Sequence, residues 1–242
     1  MNKIASSLLS FLFSLSGLMA QEGRMVLKSD FLNTKTEVQI FHLGDKNEIE
    51  SIVYFTDGEK LMRAGFPKSL MALFKKGKIP KTYLVFVSSV NLDSGVDKRN
   101  DYFFCNPAYL NFFEQELIPQ VEKAIGQSFT AESRSLLGIS FGGLNAAWFS
   151  AKSQLFAKYA LLSPITYPCE KLIQDITFSK NKSLKIYLST GKNDAENYVV
   201  PLQNIYNTKQ YRIQFEKTQG GHDFENWLGQ LESVFNFLMD QK

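Results

Sequence analysis

The chain has 242 residues, enough for one domain with a well-buried core and short of the usual length of two. Hydrophobic residues make up 44% and charged residues 21%, proportions that exclude wholesale disorder. The formal net charge is only +3, without a long run of Lys or Arg. We therefore expect no nucleic acid as a partner.

The first twenty residues form a separate unit. Lys3 gives a short positive start, residues 4–18 are apolar with interspersed Ser, and Ala20 precedes a polar stretch. This layout is typical of a cleavable secretory signal, and the apolar run is too short to span a bilayer comfortably. We expect residues 1–20 to be a signal peptide and residues 21–242 to be the exported domain, periplasmic or secreted, with no membrane span after cleavage.

Short apolar strands then alternate with helical segments. The hydrophobic pattern predicts strands at 37–43, 51–56, 82–87, 135–139, 158–162, 184–189 and 211–215, and helices at 61–76, 106–125, 143–151, 195–206 and 225–240. Pro119 predicts a kink in the second of these helices. Regular alternation of this kind implies one α/β domain, with a mainly parallel sheet covered by helices on both faces.

Residues 138–142 read Gly-Ile-Ser-Phe-Gly and match the pattern G-x-S-x-G. In that pattern a tight turn between a strand and a helix pushes the serine hydroxyl out above the sheet, and small flanking residues are needed because the turn is crowded. An apolar strand precedes the motif here, and a helix rich in small residues follows it. The motif therefore predicts Ser140 as a nucleophile.

A serine nucleophile needs a base, which in this arrangement follows an acid along the chain. His222 is the only histidine after Ser140, and it lies between the last predicted strand and the last predicted helix. The acid should follow the penultimate strand, where Asp194 is the first choice and Glu196 the second. Either acid could instead cap the next helix, and Asp223 is expected to cap the final one.

Acyl transfer also needs hydrogen-bond donors for the developing oxyanion. We expect one from the backbone N–H of Phe141, the residue after the nucleophile. The N–H of Gly58, in the turn after strand 51–56, is the candidate for the second, although this segment could also be an ordinary turn.

The sequence contains few of the side chains that usually bind transition metals. The chain has only two histidines, and its two cysteines, Cys105 and Cys169, lack the further ligands of a zinc site. We expect no metal. The cysteines could pair in an oxidising compartment, but the sequence leaves their pairing open.

Four segments together resemble the bacterial putative-esterase family, which includes siderophore esterases, feruloyl esterases, S-formylglutathione hydrolases and mycolyltransferases. They are residues 53–59 (VYFTDGE), 99–102 (RNDY), 112–119 (FFEQELIP) and 220–227 (GGHDFENW). The resemblance spans about residues 37–240, although the family's aromatic or His-Gly oxyanion signature is absent. It implies an α/β-hydrolase fold, a Ser–Asp–His carboxylic ester hydrolase without cofactor, and a position for Arg99 near the substrate.

The leading hypothesis is an exported serine esterase that hydrolyses a small soluble ester or thioester. An acyltransferase on the same fold and a secreted binding protein with idle machinery are the alternatives. The sequence leaves the natural ester and the oligomeric state open. It also leaves open whether an aromatic cluster lines an acyl pocket or belongs to the core: Tyr102, Phe103, Phe104, Tyr109 and Phe112.

Overall fold

An eight-stranded sheet runs through the computed structural model, which describes residues 19–240. The strands are β1 (Met19–Ser29), β2 (Thr34–Leu43), β3 (Ile52–Phe55), β4 (Thr82–Val87), β5 (Arg134–Ile139), β6 (Lys158–Leu162), β7 (Lys185–Thr190) and β8 (Arg212–Lys217). Their order is β1-β2-β4-β3-β5-β6-β7-β8; β2 pairs antiparallel with β1 and β4, and every pair from β4 to β8 is parallel. The predicted mainly parallel sheet is confirmed.

Ten α-helices connect the strands in the described part of the chain. They are α1 (Gly58–Arg63), α2 (Phe66–Lys75), α3 (Arg99–Phe103), α4 (Pro107–Asn111), α5 (Ile118–Ile125), α6 (Phe141–Lys152), α7 (Leu172–Thr177), α8 (Glu196–Thr208), α9 (Phe224–Gly229) and α10 (Leu231–Leu238). None of the helices in residues 19–240 has the length and apolar character needed to cross a bilayer.

The helices cover both faces of the sheet because strand side chains alternate between the faces. In β5, Leu136 packs on the face covered by α3 to α8, whereas its neighbour Leu137 packs on the face covered by α1, α2, α9 and α10. Both leucines are fully buried. The sheet is therefore enclosed between two apolar layers, as a parallel sheet requires.

Two predicted helices are interrupted in the structure. The helix expected at 61–76 is divided into α1 and α2, because Gly65 adopts a left-handed conformation (φ +86°) and Pro67 follows at the start of α2. The helix expected at 225–240 is divided at Gln230 into α9 and α10. Before Pro119 the chain is π-helical over Phe112–Leu117, consistent with a residue that cannot donate a helical hydrogen bond.

Three elements have no counterpart in the sequence prediction: β1, α3 and α7. Among residues 23–29 of the edge strand β1, only Leu27 and Ser29 are buried, so the apolar signal of this segment is weak. Almost all of the predicted signal peptide, residues 1–18, lies outside the described residues. The signal peptide therefore stays a prediction.

Candidate active site

Ser140 lies on a strained turn between β5 and α6. Its backbone has φ 58° and ψ −118°, a region that a non-glycine residue rarely adopts. A Cβ atom at Gly138 would lie 1.9 Å from the carbonyl oxygen of Gly142, and one at Gly142 would lie 2.5 Å from Thr56 Oγ1. The flanking residues must therefore be glycines, and the turn presents the serine hydroxyl at the carboxyl end of the sheet.

A chain of hydrogen bonds links Ser140 to His222 and Asp194. His222 Nε2 lies 2.9 Å from Ser140 Oγ, and His222 Nδ1 lies 2.6 Å from Asp194 Oδ1. When Nδ1 carries the proton and donates a hydrogen bond to the carboxylate, the lone pair of Nε2 faces the serine hydroxyl. The Asp194 side chain is only 3% exposed, and its Oδ2 accepts a hydrogen bond from the Gly191 N–H at 3.1 Å. The carboxylate is thus fixed on both sides.

The loops that carry the acid and the histidine follow β7 and β8, which are parallel neighbours. Their backbones approach closely, since the Lys192 N–H donates to the Gly220 carbonyl at 2.9 Å. A Cβ atom at Gly191 would lie 2.2 Å from that same carbonyl oxygen. The absence of a side chain at Gly191 therefore allows the two loops to meet.

Helix α9, which follows the histidine loop, contacts the imidazole of His222 through Trp227. Asp223 caps α9, because its Oδ1 accepts the Asn226 N–H at 2.9 Å, and the predicted capping role is confirmed. The Trp227 ring stands edge-on to the His222 ring, with 4.9 Å between centroids. Histidine rotation is therefore restricted by an aromatic neighbour and by the bond to the acid.

Glu196, the second choice for the acid, lies elsewhere. It is the first residue of α8 and its carboxylate pairs with Lys217 Nζ at 2.8 Å on the protein surface. The structure brings Asp194, rather than Glu196, against the imidazole.

A cavity of about 410 Å³ opens at the serine. It is lined by Asp57, Lys60, Leu61, Arg99, Ile139, Ser140, His222, Asp223, Phe224 and Trp227. Its wall combines apolar rings with charged groups, so a bound molecule would meet both.

Arg99 lies in this cavity but is held by protein groups. Its Nε donates to both oxygens of Asp57 at 2.7 and 2.9 Å, and its Nη2 donates to the Ile139 carbonyl at 3.2 Å. The side chains of Arg99 and Asp57 are 18% and 5% exposed. Burial raises the pKa of the Asp57 carboxyl, and the charges of Arg99 and Lys60 oppose that rise. The pair joins the segment before α1 to the turn at the serine.

The two predicted oxyanion donors have different surroundings. Phe141 is the first residue of α6, so its N–H has no acceptor within that helix. Gly58 is the first residue of α1, but a Cβ atom there would lie 2.7 Å from Val87 N, so its lack of a side chain is explained by close packing on β4. The same segment contributes Asp57 and Lys60 to the cavity, whereas Gly58 does not line it. Its oxyanion role stays a prediction.

The aromatic cluster divides between core and site. Four of its members are buried in the core, namely Tyr102, Phe103, Tyr109 and Phe112. Phe104 is only partly buried and packs against Phe141, with 4.9 Å between ring centroids. One member thus reaches the surroundings of the nucleophile.

Cys105 and Cys169 form a disulfide, with their Cα atoms 6.0 Å apart. Within the described part of the chain, no group of three or more His, Cys, Asp or Glu side chains is placed to hold a metal ion.

Sequence reasoning assigned no role to Asp57, Lys60 or Trp227, although they line the cavity. Asp57 and Trp227 fall within the segments that carry the family resemblance, which is the signal that could have drawn attention to them.

The fold is shared with several solved esterase structures. The enterobactin esterase FES from Shigella flexneri superposes with a TM-score of 0.80 at 23% identity, covering 90% of this chain and 59% of that one. A ferulic acid esterase matches with a TM-score of 0.75 at 16% identity, covering 95% and 100% of the two chains. An IroE-like serine hydrolase from Shewanella oneidensis matches with a TM-score of 0.68 at 18% identity, covering 90% and 80%. These superpositions show a common α/β-hydrolase fold.

The chain spans about 59% of the length of the enterobactin esterase it matches. No curated protein sequence matches it significantly. Residues 29–238 match the model of the family described as "Putative esterase", which is most of the chain. That match supports ester hydrolysis as the class of reaction. The chain belongs to this esterase family.

Proposed function

We propose that the protein is an exported serine esterase that cleaves a carboxylic ester or thioester through Ser140, His222 and Asp194. The observation that carries the proposal is the continuous hydrogen-bonded chain from the hydroxyl through the imidazole to the buried carboxylate. A serine hydroxyl is a weak nucleophile unless a base removes its proton, and a ring nitrogen, His222 Nε2, lies 2.9 Å from this hydroxyl.

In the first half of the reaction, His222 Nε2 accepts the proton of Ser140 as Oγ attacks the ester carbonyl carbon. Asp194 stabilises the resulting imidazolium and keeps its orientation. The negative charge that develops on the carbonyl oxygen is stabilised by the Phe141 N–H. The intermediate then collapses, the C–O bond to the leaving alcohol breaks, and the imidazolium returns its proton to that alcohol.

In the second half, a water molecule enters the place of the alcohol. His222 accepts a proton from the water as the water oxygen attacks the acyl-enzyme carbonyl carbon. The bond from that carbon to Ser140 Oγ then breaks, the carboxylic acid product leaves, and the imidazolium returns its proton to Oγ. An alcohol in place of water would give acyl transfer by the same steps, which is the alternative reaction on this fold. Adding an alcohol acceptor to a hydrolysis assay separates the two reactions by their products.

Export is part of the proposal. It is supported by the leader-like residues 1–20 and by the Cys105–Cys169 disulfide, since disulfides persist mainly in oxidising compartments. Expression of the full chain in a bacterial host, followed by fractionation and N-terminal sequencing, tests this. Retention in the cytoplasm with an intact N-terminus would contradict it.

The sharpest test of the chemistry is labelling with a fluorophosphonate probe, which reacts with an activated serine. We expect the wild-type protein to be labelled, Ser140→Ala to be unlabelled, and the matched control Ser94→Ala, in an exposed loop, to be labelled normally. Absence of labelling in the folded wild-type protein would favour a binding protein with idle machinery.

Turnover of p-nitrophenyl acetate provides a second measurement. Ser140→Ala and His222→Ala should each lose nearly all activity while remaining folded, and combining them should cost little more, because they act as one unit. Full activity in either variant would remove that residue from the mechanism.

The substrate is the remaining part of the proposal. The matched structures are named for enterobactin and ferulic acid esterases. A hydrolysis screen should therefore include siderophore lactones and feruloyl sugars beside short acyl esters and thioesters.

A further inference from the structure

Two aromatic rings pack edge-on against Phe141, the residue after the nucleophile. The Phe104 ring lies 4.9 Å from the Phe141 ring between centroids, at 80° between planes, and the Tyr167 ring lies 5.9 Å away at 71°. Phe104 follows α3, Phe141 begins α6, and Tyr167 lies in the loop after β6. We call these three rings the aromatic wall.

The Cys105–Cys169 disulfide joins the two segments that flank Phe141. Cys105 directly follows Phe104, and Cys169 comes two residues after Tyr167. The crosslink therefore ties together the two outer rings of the wall, although 64 positions separate the cysteines along the chain.

The wall adjoins the cavity at Ser140. The Arg99 guanidinium carbon lies 5.0 Å from the centroid of the Phe141 ring, and Arg99 lines the cavity together with Ser140. Tyr167, at the outer end, is 63% exposed, and its ring lies 6.3 Å from that of Tyr198. The aromatic wall thus extends from Phe141, next to Ser140 in the chain, to the exposed Tyr167, and its residues are not among those that line the 410 Å³ cavity.

An ester has two arms, and both must be accommodated around Ser140. A ring on one arm would gain contact with the exposed ring of Tyr167 and with the partly exposed rings of Phe104 and Phe141. Because the disulfide fixes the wall in advance, binding would not have to order it, which increases affinity.

We propose that the aromatic wall is a specificity-determining surface for a ring-bearing arm of the ester, and that the disulfide holds this surface in its binding conformation. The proposal rests on the esterase function proposed above. A purely structural disulfide would alter stability without changing the preference between esters that differ by one ring.

The test is Tyr167→Ala, assayed with two pairs of esters. Phenyl acetate and ethyl acetate differ by a ring on the alcohol arm, and methyl 3-phenylpropanoate and methyl butanoate differ by a ring on the acyl arm. We expect KM to rise roughly two- to tenfold for a ring-bearing ester, the range of one aromatic contact, with kcat nearly unchanged. The KM of the variant for the matching ring-free ester should equal that of the wild-type protein.

Two variants serve as controls. Tyr167→Phe retains the ring and should retain the wild-type preference. Phe178→Ala removes another exposed aromatic ring, 76% exposed at the end of α7, and should change neither KM nor kcat.

The double variant Cys105→Ser/Cys169→Ser examines the crosslink. At a temperature where its melting curve shows it to be folded, it should reproduce the selective rise in KM for the ring-bearing ester. If this variant does not fold, the measurements on Tyr167→Ala alone decide the proposal.

Normal turnover by Tyr167→Ala with an unchanged preference in both pairs would overturn the inference and leave the esterase function intact. Equal changes for ring-bearing and ring-free esters would also overturn it. If the wild-type protein hydrolyses none of the four esters and escapes the fluorophosphonate probe, the proposed function fails and the inference fails with it.

Discussion

The buried pair of Arg99 and Asp57 gives a prediction whose magnitude follows from the structure. Arg99→Met removes the guanidinium and leaves the Asp57 carboxylate, 5% exposed, without its main partner. Breaking a buried ion pair from one side costs about 3 to 5 kcal/mol. Lys60 Nζ remains 3.5 Å from Asp57 Oδ1 and offsets part of the loss. We therefore expect the free energy of unfolding at pH 7 to fall by about 3 kcal/mol.

The loss should depend on pH. Burial already raises the pKa of Asp57, and without Arg99 the folded-state pKa rises further above the unfolded value. A carboxyl with a raised folded-state pKa destabilises the protein above its unfolded-state pKa, and the cost disappears as the pH falls towards that value, about 4. Arg99→Met should therefore be closer to wild type at acidic pH.

Urea unfolding at pH 7 and at pH 4.5, followed by tryptophan fluorescence, measures both effects. The double variant Arg99→Met/Asp57→Asn is the control, since removing the stranded carboxylate should recover most of the stability at pH 7. A loss below about 1 kcal/mol at pH 7, or a loss that grows on acidification, would refute the reasoning.

Three further predictions concern the site and its crosslink. Asp194→Asn should lower kcat for p-nitrophenyl acetate by about 10⁴-fold, while Glu196→Gln should change it less than about twofold because exposed charges contribute little; the reverse pattern would make Glu196 the acid. Gly191→Ala would bring a Cβ atom to 2.2 Å from a carbonyl of the histidine loop. Displacing that loop by about 1 Å should lower kcat about 10²-fold. Activity equal to wild type would contradict the inference that the two loops can meet only when residue 191 has no side chain. The Cys105–Cys169 disulfide closes a chain segment of 64 residues. Its replacement by two serines should therefore lower the free energy of unfolding by about 4 kcal/mol on the chain-entropy model, measured by urea unfolding, and a change within error would contradict that mechanism.

The proximity of Ser140 and His222 could be predicted from the sequence, because a local pattern indicates the serine turn and chain order indicates the histidine. The glycines around Ser140 are required by contacts within the turn itself, between Gly138 and Gly142. His222 needed no choice, because no other histidine follows the serine. Local sterics and chain order were therefore sufficient for both.

For the carboxylate beside His222, the sequence left two candidates, Asp194 and Glu196. Asp194 lies in the short connection between β7 and α8 and Glu196 begins α8, and from the sequence alone either residue could begin that helix. Which of the two side chains points towards His222 depends on the path of the connection. That path includes a tertiary hydrogen bond from the Lys192 N–H to the Gly220 carbonyl. No pattern within the connection reports that contact.

Gly58 illustrates a different limit. A glycine in a turn can leave room for a ligand near its N–H or for another backbone, and the sequence is the same in both cases. Here the close contact is with Val87 on β4. The ion pair between Arg99 and Asp57 could not be predicted from the sequence either. Its members are 42 positions apart, and the sequence does not show which opposite charge each of them contacts.

The order of the strands in the sheet explains why Tyr167 of the aromatic wall lies near Ser140, His222 and Asp194. Parallel strands end at the same edge of a sheet, so the loops after β5, β6, β7 and β8 must be neighbours there. Three of these loops carry Ser140, Asp194 and His222, and the loop after β6 carries Tyr167. That loop lies between the serine turn and the loop of Asp194 in the sheet order, so Tyr167 lies at the same edge of the sheet as Ser140. On the proposal made for the aromatic wall, a substitution of Tyr167 is therefore expected to change the preference between esters without moving Ser140, His222 or Asp194.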